Sequence, residues 1–374
     1  MKPLITLLAT ILISGMIHAQ DPIAYSIEHD GLTRDYYVYV PAAYDGSTNV
    51  PIVMNFHGFG SNYFEQMFYG DFRAIADTAN FILVLPDGTE FNNSGHWNVG
   101  GFTIGSTIDD VGFVDVMLDE IISNYTIDTT RIYSTGMSNG GYFSFLLACQ
   151  LSDRIAAIAS VTGSMTPETY NDCNPQHPTP VMQIHGDMDM TVPYEGALWS
   201  KSIADVILYW RDFNNCEIDP TFTEFEDTAP NDGSTAEEYY YAGGDDGSAV
   251  SHIKVLGGGH TWPGSIFNFA GTNQDFNASD IIWKFFRNYD INGVNPIIST
   301  ETTYTTALKI YPNPATDELF VETDQYTSHY YKIYDLLGNC LQEGYTTNQI
   351  DVSTLPPNLY LLHIDNQVLK VLKQ

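Results

Sequence analysis

Basic residues are scarce in this chain. It has 14 Lys and Arg against 46 Asp and Glu, which gives a formal net charge of −32 at pH 7. Such an excess of negative charge repels nucleic acid and anionic membranes, so we expect neither as a partner. Aromatic residues make up 13% of the 374 residues, far more than a disordered acidic chain would carry. The charge therefore indicates a solvating surface on a folded protein.

Cysteine is also rare, with four residues and no CxxC pair. No His and Cys residues have the spacing of a zinc site, so we expect no metal and no cofactor. Four cysteines allow three complete pairings. A bridge among Cys149, Cys173 and Cys216 is compatible with an exported protein, but the sequence does not decide which two pair.

A long apolar run stands only at the N-terminus. Lys2 gives a positive start, Leu4 to Ile17 is almost wholly apolar, and Ala19 supplies a small residue at the end. This pattern predicts a secretory signal over residues 1–19, because a membrane span needs about 20 apolar residues. An N-terminal anchor is the alternative. We expect a secreted protein without stable membrane insertion.

Between residues 20 and 290, apolar runs alternate with helical patterns. Strands are predicted at Tyr36–Val40, Ile52–Phe56, Phe81–Leu85, Arg131–Thr135, Ile155–Val161, Val181–His185 and Ser251–Leu256. Helices are predicted at Asp109–Tyr125, Tyr142–Leu151, Gly196–Phe213 and Asn277–Asn288. The alternation predicts an α/β domain with a doubly wound, mostly parallel sheet that helices cover on both faces.

The chain changes character after residue 290. Residues 291–306 are rich in Thr, Ser and Asn and predict a linker. From 307 to 374, short strand-like runs are separated by turn signals such as Pro312-Asn313-Pro314. They predict a small all-β sandwich. We find no Ser, His and Asp set of catalytic spacing there.

Gly136-Met137-Ser138-Asn139-Gly140 has the spacing of a nucleophile elbow. It follows a predicted strand and precedes a predicted helix, the setting in which a sharp turn lifts a serine hydroxyl above the sheet edge. Because a serine hydroxyl is a poor nucleophile at neutral pH, it needs a base beside it. Ser138 is the predicted nucleophile.

The base and its acid should follow the serine along the chain, acid first. His260 lies in the glycine-rich loop after the last predicted strand, and Asp187 and Asp189 follow an earlier one. The carboxyl ends of parallel strands are where such sheets place their ligands. We assign His260 as base; the spacing leaves both aspartates open as the acid.

Two backbone N–H groups should hold the oxyanion, and we assign those of Phe59 and Asn139. Trp97 and Trp262, together with Phe59, are candidates to line an apolar pocket, although both tryptophans also fit a packing role. His57 and His185 are interpreted as hydrogen-bonded scaffold. Asp110 is interpreted as a helix-start acid, with a bond to a loop near the site as the alternative.

A series of motifs then carries a family resemblance, in order along the chain: Pro51 to Gly58, Leu85 to Gly88, Trp97-Asn98, Asp109 to Phe113, Gly136 to Gly141, His185 to Asp189, Val192 to Tyr194 and Gly258 to Pro263. The set resembles the polyhydroxybutyrate-depolymerase and feruloyl-esterase family of α/β-hydrolases, related to carbohydrate esterases. That family's acid is the Asp of His-Gly-x-x-Asp, which implies Asp189 rather than Asp187. Phe59 stands where the family often has Cys or Gly, which leaves a backbone role intact and changes the pocket.

The C-terminal motifs are Leu308 to Ala315, Tyr331 to Gly338, Leu355 to Tyr360 and a final Val-Leu-Lys. They resemble the C-terminal sorting domain of the Bacteroidetes type nine secretion system. The resemblance implies the secretion machinery as a partner and, in most cases, removal of the module after transport. A carbohydrate-binding or adhesive β domain is the alternative, because fold alone does not fix function.

The sequence thus predicts a secreted serine carboxylic-ester hydrolase that works through an acyl-enzyme. Its expected substrate is a feruloyl or acetyl ester on polysaccharide. A polyhydroxyalkanoate-type polyester is the enzymatic alternative. A secreted binding or adhesion protein on an inactive hydrolase scaffold is the alternative of another class.

Overall fold

A computed structural model describes residues 21–295, 309–322, 329–335, 340–346, 349–364 and 367–374. The predicted signal at 1–19 and most of the predicted linker at 291–306 lie outside these residues. The chain divides into two compact units, one up to Ser299 and one from Thr300 onward. No helix in the described ranges combines the length and the apolar character that crossing a bilayer requires.

The first unit is built on one large twisted sheet. The strands of this unit are β1 Ile23–His29, β2 Leu32–Tyr39, β3 Val50–Phe56, β4 Ile82–Pro86, β5 Thr89–Phe91, β6 Ser94–His96, β7 Ile127–Met137, β8 Ala157–Val161, β9 Val181–Gly186, β10 Thr221–Glu224, β11 Thr235–Tyr241, β12 Val250–Leu256, β13 Tyr289–Asp290 and β14 Gly293–Val294. Strands β5 and β6 form a separate short hairpin, and so do β13 and β14. The large sheet has the order β1-β2-β4-β3-β7-β8-β9-β12-β11-β10. Its centre, from β4 to β12, is parallel. Antiparallel strands extend both edges.

The helices of this unit are α1 Tyr63–Tyr69, α2 Arg73–Ala79, α3 Asp110–Asn124, α4 Asn139–Gln150, α5 Pro167–Asp172, α6 Ile203–Phe213 and α7 Ala278–Phe286. Apolar residues of α3, α4 and α6 form one hydrophobic cluster with the sheet. Residues of α1, α2 and α7 form a second cluster on the other face. The predicted α/β architecture, with a mostly parallel sheet covered on both faces, is confirmed.

Strand β3 explains why both faces need covering. Ile52, Met54 and Phe56 belong to the first cluster, whereas Val53 belongs to the second. Successive side chains of a strand point to opposite faces, so a continuous apolar run serves a strand buried on both sides. Because the central strands are parallel, their carboxyl ends and the loops that follow them lie along the same side of the sheet.

The sequence misjudged two helix starts. The helix predicted from Tyr142 begins three residues earlier, at Asn139. The predicted Gly196–Phe213 helix begins only at Ile203, where the Ser202 side chain accepts a hydrogen bond from the N–H of Asp205 and caps the helix. Gly196 has a φ of 81°, a left-handed conformation that no α-helix contains. Residues 197–202, between Gly196 and the helix, form a loop.

One disulfide joins Cys149 and Cys173. It ties the end of α4 to the residue that follows α5. Cys216 is half-buried and Cys340 is exposed, and both are free thiols. Burial raises the pKa of the Cys216 thiol to about 11, so this side chain behaves as an unreactive core residue.

The second unit consists of small antiparallel sheets, as the sequence predicts. Its strands are β15 Lys309–Tyr311, β16 Glu318–Glu322, β17 His329–Tyr334, β18 Cys340–Thr346, β19 Gln349–Asp351, β20 Asn358–Ile364 and β21 Gln367–Lys373. They form one sheet of order β15-β16-β19 and another of order β18-β17-β20-β21. Leu319 and Ile350 of the first sheet share a hydrophobic cluster with Ile333 and Leu362 of the second.

Candidate active site

Ser138 occupies the sharp turn between β7 and α4. Its φ of 54° and ψ of −118° lie in a region that residues with a side chain rarely adopt. The Ser138 N–H donates to the carbonyl of Val161 at 2.8 Å, and the Ser138 carbonyl accepts the N–H of Tyr142 at 3.0 Å. The strained backbone is thus held by hydrogen bonds on both sides.

Two glycines make this turn possible. A Cβ on Gly140 would lie 2.1 Å from the carbonyl oxygen of Phe56, and one on Gly136 would lie 2.5 Å from the same atom. Real Cβ atoms do not approach a carbonyl so closely. The G-x-S-x-G spacing therefore reflects the close approach of the turn to the end of β3.

His260 and Asp189 lie together in the loops that follow β12 and β9. Nδ1 of His260 donates to Oδ2 of Asp189 at 2.7 Å. Oδ1 of Asp189 accepts the backbone N–H groups of Thr191 and Val192, both at 2.8 Å. This arrangement fixes the histidine tautomer and leaves Nε2 of His260 as the nitrogen that can accept a proton.

Asp189 is 3% exposed and is nevertheless held as a carboxylate. Burial raises its pKa, but the hydrogen bond and charge of His260, the Val192 N–H and the nearby His185 together outweigh burial. The net effect lowers the pKa of Asp189 below its ordinary value. A buried carboxylate beside an imidazole is suited to stabilise the imidazolium.

Asp187 has a different environment, although it follows the same strand. Its Oδ1 accepts the backbone N–H of Gly257 at 2.8 Å, and its Oδ2 lies 3.9 Å from Nζ of Lys254. Asp187 thus ties the start of the His260 loop to the end of β9. The structure brings Asp189, not Asp187, to the histidine.

The end of β3 lies directly beside Ser138. A Cβ on Gly58 would lie 3.5 Å from the Cβ of Ser138. The Gly58 carbonyl accepts the N–H of Ser61 at 3.1 Å and Nδ1 of His57 at 2.8 Å. Within the described part of the chain, we find no protein acceptor for the N–H groups of Phe59 and Asn139. Both N–H groups are therefore free to donate to a ligand.

His57 and His185 are buried, hydrogen-bonded side chains. Nε2 of His57 accepts the Gly88 N–H at 2.9 Å, and burial lowers the His57 pKa to about 4. Nε2 of His185 donates to the Val192 carbonyl at 2.9 Å, and burial likewise lowers its pKa. Both imidazoles are neutral at pH 7 and hold loops rather than shuttle protons.

Ser138 and His260 line one cleft of about 310 Å³. The remaining lining residues are Gly58, Phe59, Gly60, Ser61, Glu65, Tyr69, Met137, Thr261, Trp262, Ser265, Phe267 and Phe269. Phe267 and Phe269 were not singled out from the sequence, because they stand in a loop without a motif. Their rings stack at 6.4 Å between centroids, and both are exposed.

Trp97 and Trp262, the two predicted lining tryptophans, have different positions. Trp262 borders the cleft but is only 2% exposed. Trp97 is fully buried and stacks on Phe143 at 5.1 Å between ring centroids. The lining role expected for Trp97 must therefore be revised, because its ring faces the core and does not border the cleft.

Asp110 also needs a revised interpretation. It begins α3, as expected, but its carboxylate accepts the backbone N–H of Asn98 at 2.7 Å and pairs with Arg34 at 2.7 Å. The exposed Asp109 caps the helix instead, by accepting the Gly112 N–H. Asp110 is thus bonded to the loop behind the site, the alternative that the sequence left open.

Two separate regions of the chain match known protein families. Residues 45–219 match the phospholipase/carboxylesterase family, and residues 309–374 match the secretion system C-terminal sorting domain. The chain is similar to a bifunctional acetylxylan esterase/xylanase of Neocallimastix patriciarum, with 26% identity over 70% of this chain and 34% of the relative. It is also similar to feruloyl esterase B of Piromyces equi, with 29% identity over 61% of this chain and 42% of the relative.

The chain thus spans less than half the length of these two relatives. Among solved structures, an acetyl xylan esterase from Aspergillus awamori aligns with a TM-score of 0.48 and 15% identity, over 71% of this chain and 98% of that one. The C-terminal match indicates secretion. Residues 45–219 of the α/β unit are thus similar to carboxylesterases, and residues 309–374 are similar to secretion system sorting domains.

Proposed function

We propose that this secreted esterase forms an acyl-enzyme on Ser138 and removes feruloyl or acetyl groups from polysaccharide. The observation that carries the mechanism is the 2.7 Å hydrogen bond between Asp189 and His260, because His260 lines the same cleft as Ser138. Asp189 orients the imidazole, His260 is the base, and Ser138 is the nucleophile. Phe59 and Asn139 supply the oxyanion N–H groups.

Acylation begins when Nε2 of His260 takes the proton of the Ser138 hydroxyl. The serine oxygen then bonds to the ester carbonyl carbon, and the carbonyl oxygen becomes an oxyanion held by the N–H groups of Phe59 and Asn139. Each such donor is worth about 3 kcal/mol of transition-state stabilisation. When the C–O bond to the alcohol breaks, His260 returns its proton to the leaving oxygen.

Deacylation repeats the same steps with water. His260 takes a proton from water, the hydroxide oxygen bonds to the acyl carbon, and the oxyanion forms again. The bond to Ser138 then breaks, and His260 returns the proton to the serine oxygen. The products are an acid and an alcohol, and the enzyme is regenerated without a cofactor.

The cleft suits a compact acyl group with an apolar or aromatic part. Its volume of about 310 Å³ lies at the lower end of ligand sites, which span about 300–1,000 Å³. Phe59, Phe267 and Phe269 offer aromatic surface, while Ser61 and Glu65 offer polar groups. The relatives named as acetylxylan and feruloyl esterases support the same two acyl groups.

A polyester of the polyhydroxyalkanoate type is the second candidate substrate. The exposed Ile266, Phe267 and Phe269 favour it, because an apolar polymer surface could contact them. We prefer the polysaccharide ester, because residues 309–374 match a sorting domain rather than a polymer-binding domain, which removes one argument for an insoluble polyester.

We also propose how the chain is divided into domains and which segment is removed from it. Residues 1–19 are removed as a signal, residues 20–290 form the catalytic domain, residues 291–306 link the domains, and residues 307–374 are read by the secretion machinery. The match of residues 309–374 to a sorting domain supports this division. Mass spectrometry of the secreted protein tests it, because the mature N-terminus should be Gln20.

A hydrolysis panel tests the substrate. The full chain is assayed on methyl ferulate, acetylated xylan and polyhydroxybutyrate, with Ser138→Ala as the control. We expect release of ferulate or acetate and no soluble hydroxybutyrate. Hydrolysis of polyhydroxybutyrate alone would replace the polysaccharide proposal by the polyester one, and no hydrolysis of any ester would favour the inactive binding protein.

A further inference from the structure

Asn139 follows the nucleophile and is joined to Trp97 by a pair of hydrogen bonds. Its Oδ1 accepts the Trp97 N–H at 2.7 Å, and its Nδ2 donates to the Trp97 carbonyl at 3.0 Å. Both residues are fully buried. The amide side chain therefore fixes the first residue of α4 to a segment that is remote in sequence.

Trp97 reaches the other oxyanion segment with its side chain. Its indole N–H donates to the carbonyl of His57 at 3.0 Å, two residues before Phe59. The ring is held by stacking on Phe143 and by an edge contact with Phe56. Trp97 thus connects the two chain segments whose N–H groups are the proposed oxyanion donors.

The Trp97 segment is itself anchored from behind. The next residue, Asn98, donates its N–H to Asp110, which pairs with Arg34. Arg34 and Asp110 are 1% and 2% exposed, so this ion pair is buried and hydrogen-bonded. A buried pair of this kind holds a single geometry, because breaking it would leave an uncompensated charge.

We propose that Trp97 and the Asn139 amide are positioning groups that set the distance between the N–H groups of Phe59 and Asn139. The inference rests on the proposed function, since it assigns these N–H groups to the oxyanion. Donors that are fixed before the reaction stabilise charge without reorganisation when it develops. Displacing the two N–H donors lowers kcat and leaves ground-state binding, and hence KM, nearly unchanged.

Two variants of the purified full chain test the inference. Asn139→Ala removes the amide but keeps the backbone N–H, and Trp97→Phe removes the indole N–H but keeps a ring on Phe143. We expect kcat on an activated acetyl ester to fall about 10- to 100-fold, because a misplacement of about 1 Å costs roughly 100-fold. KM should stay within about twofold, and the inhibition constant of a trifluoromethyl ketone should rise as kcat falls.

A matched control separates positioning from folding. Asn214 makes the same paired hydrogen bonds to the main chain of Thr179, at 2.8 and 2.6 Å, and is also fully buried, but it lies outside the cleft lining. Asn214→Ala should destabilise the fold while kcat per titrated serine stays at the wild-type value. Titration with a fluorophosphonate counts the competent serines in every variant.

The outcomes distinguish the inference from the function on which it rests. If Asn139→Ala and Trp97→Phe keep wild-type kcat per titrated serine, or if kcat falls while ketone inhibition is unchanged, the positioning role is wrong and the esterase mechanism stands. The double variant should lose less than the product of the single losses, because both act on one geometry. If the fluorophosphonate does not label wild-type Ser138, both proposals fail.

Discussion

The two sides of the cleft are built differently. The buried side, which holds Ser138 and the end of β3, is backed by Asp189 and His57, whose side chains are buried and hydrogen-bonded. The exposed side presents Phe267 and Phe269, whose rings stack on each other. Under the proposed function, this difference predicts a division of roles: buried hydrogen bonds fix the geometry of the chemistry, and exposed side chains select the acyl group.

The two aspartates after β9 offer the strongest way to test the buried side. We expect Asp189→Asn to lower kcat by about 10³- to 10⁴-fold, because the amide would favour the wrong tautomer of His260. Asp187→Asn serves as its control and should cost less than about tenfold, since Asp187 bonds only the Gly257 N–H and Lys254. Steady-state kinetics on one activated ester measures both, and a larger loss for Asp187→Asn would refute the assignment.

Two buried histidines, His57 after β3 and His252 on β12, should also give the first unit a characteristic pH dependence. Burial lowers the pKa of His57 and of His252 to about 4, from an ordinary value of 6.5. Between these values the unfolded chain binds more protons than the native one, so stability falls as the pH falls from about 6.5 to 4. The loss is on the order of 2–3 kcal/mol for each histidine.

Urea unfolding followed by tryptophan fluorescence measures this dependence in the catalytic unit, because all five tryptophans precede residue 290. In His252→Gln the slope of the unfolding free energy against pH should be smaller than in the wild type. Asn214→Ala, which removes a buried side chain that does not titrate, is the control and should lower the unfolding free energy without changing the slope. Equal slopes in wild type and His252→Gln would mean that His252 titrates alike in both states.

Substitutions on the exposed side should have smaller effects on the kinetics than those at Asp189. Replacing Phe267 and Phe269 together by Ala should raise KM for methyl ferulate roughly 5- to 150-fold, because each of the two aromatic contacts is worth about 0.5–1.5 kcal/mol. The KM for an acetyl ester should change less, since acetyl is too small to use both rings. An equal change in KM for both esters would mean that these residues do not select the acyl group. The control is Phe222→Ala, which replaces an exposed phenylalanine on the edge strand β10.

The sequence predicted the buried side better than the exposed one, for physical reasons. The turn at Ser138 requires glycine at two fixed positions, because a Cβ at Gly136 or Gly140 would clash with the carbonyl oxygen of Phe56. Apolar runs such as β3 mark strands buried on both faces. Exposed loops have no such constraint, so Phe267 and Phe269 carried no signal.

Other features were ambiguous at the level of sequence. Asp187 and Asp189 follow the same strand, so spacing alone left both open; the family resemblance implied Asp189, and the folded loop brings that carboxylate to His260. An aromatic residue beside a motif can face the cleft or the core, and Trp97 faces the core. The antiparallel edge strand β10 was missed because its residues are exposed and lack the apolar run of the central strands.

The most direct test of the central claim is the mass of the protein after reaction with a fluorophosphonate. The account predicts one covalent adduct, located by peptide mapping on Ser138, and no adduct in Ser138→Ala. Ser160→Ala, a buried serine on β8, should be labelled like the wild type. An unlabelled wild type, or an adduct that persists in Ser138→Ala, would contradict the account.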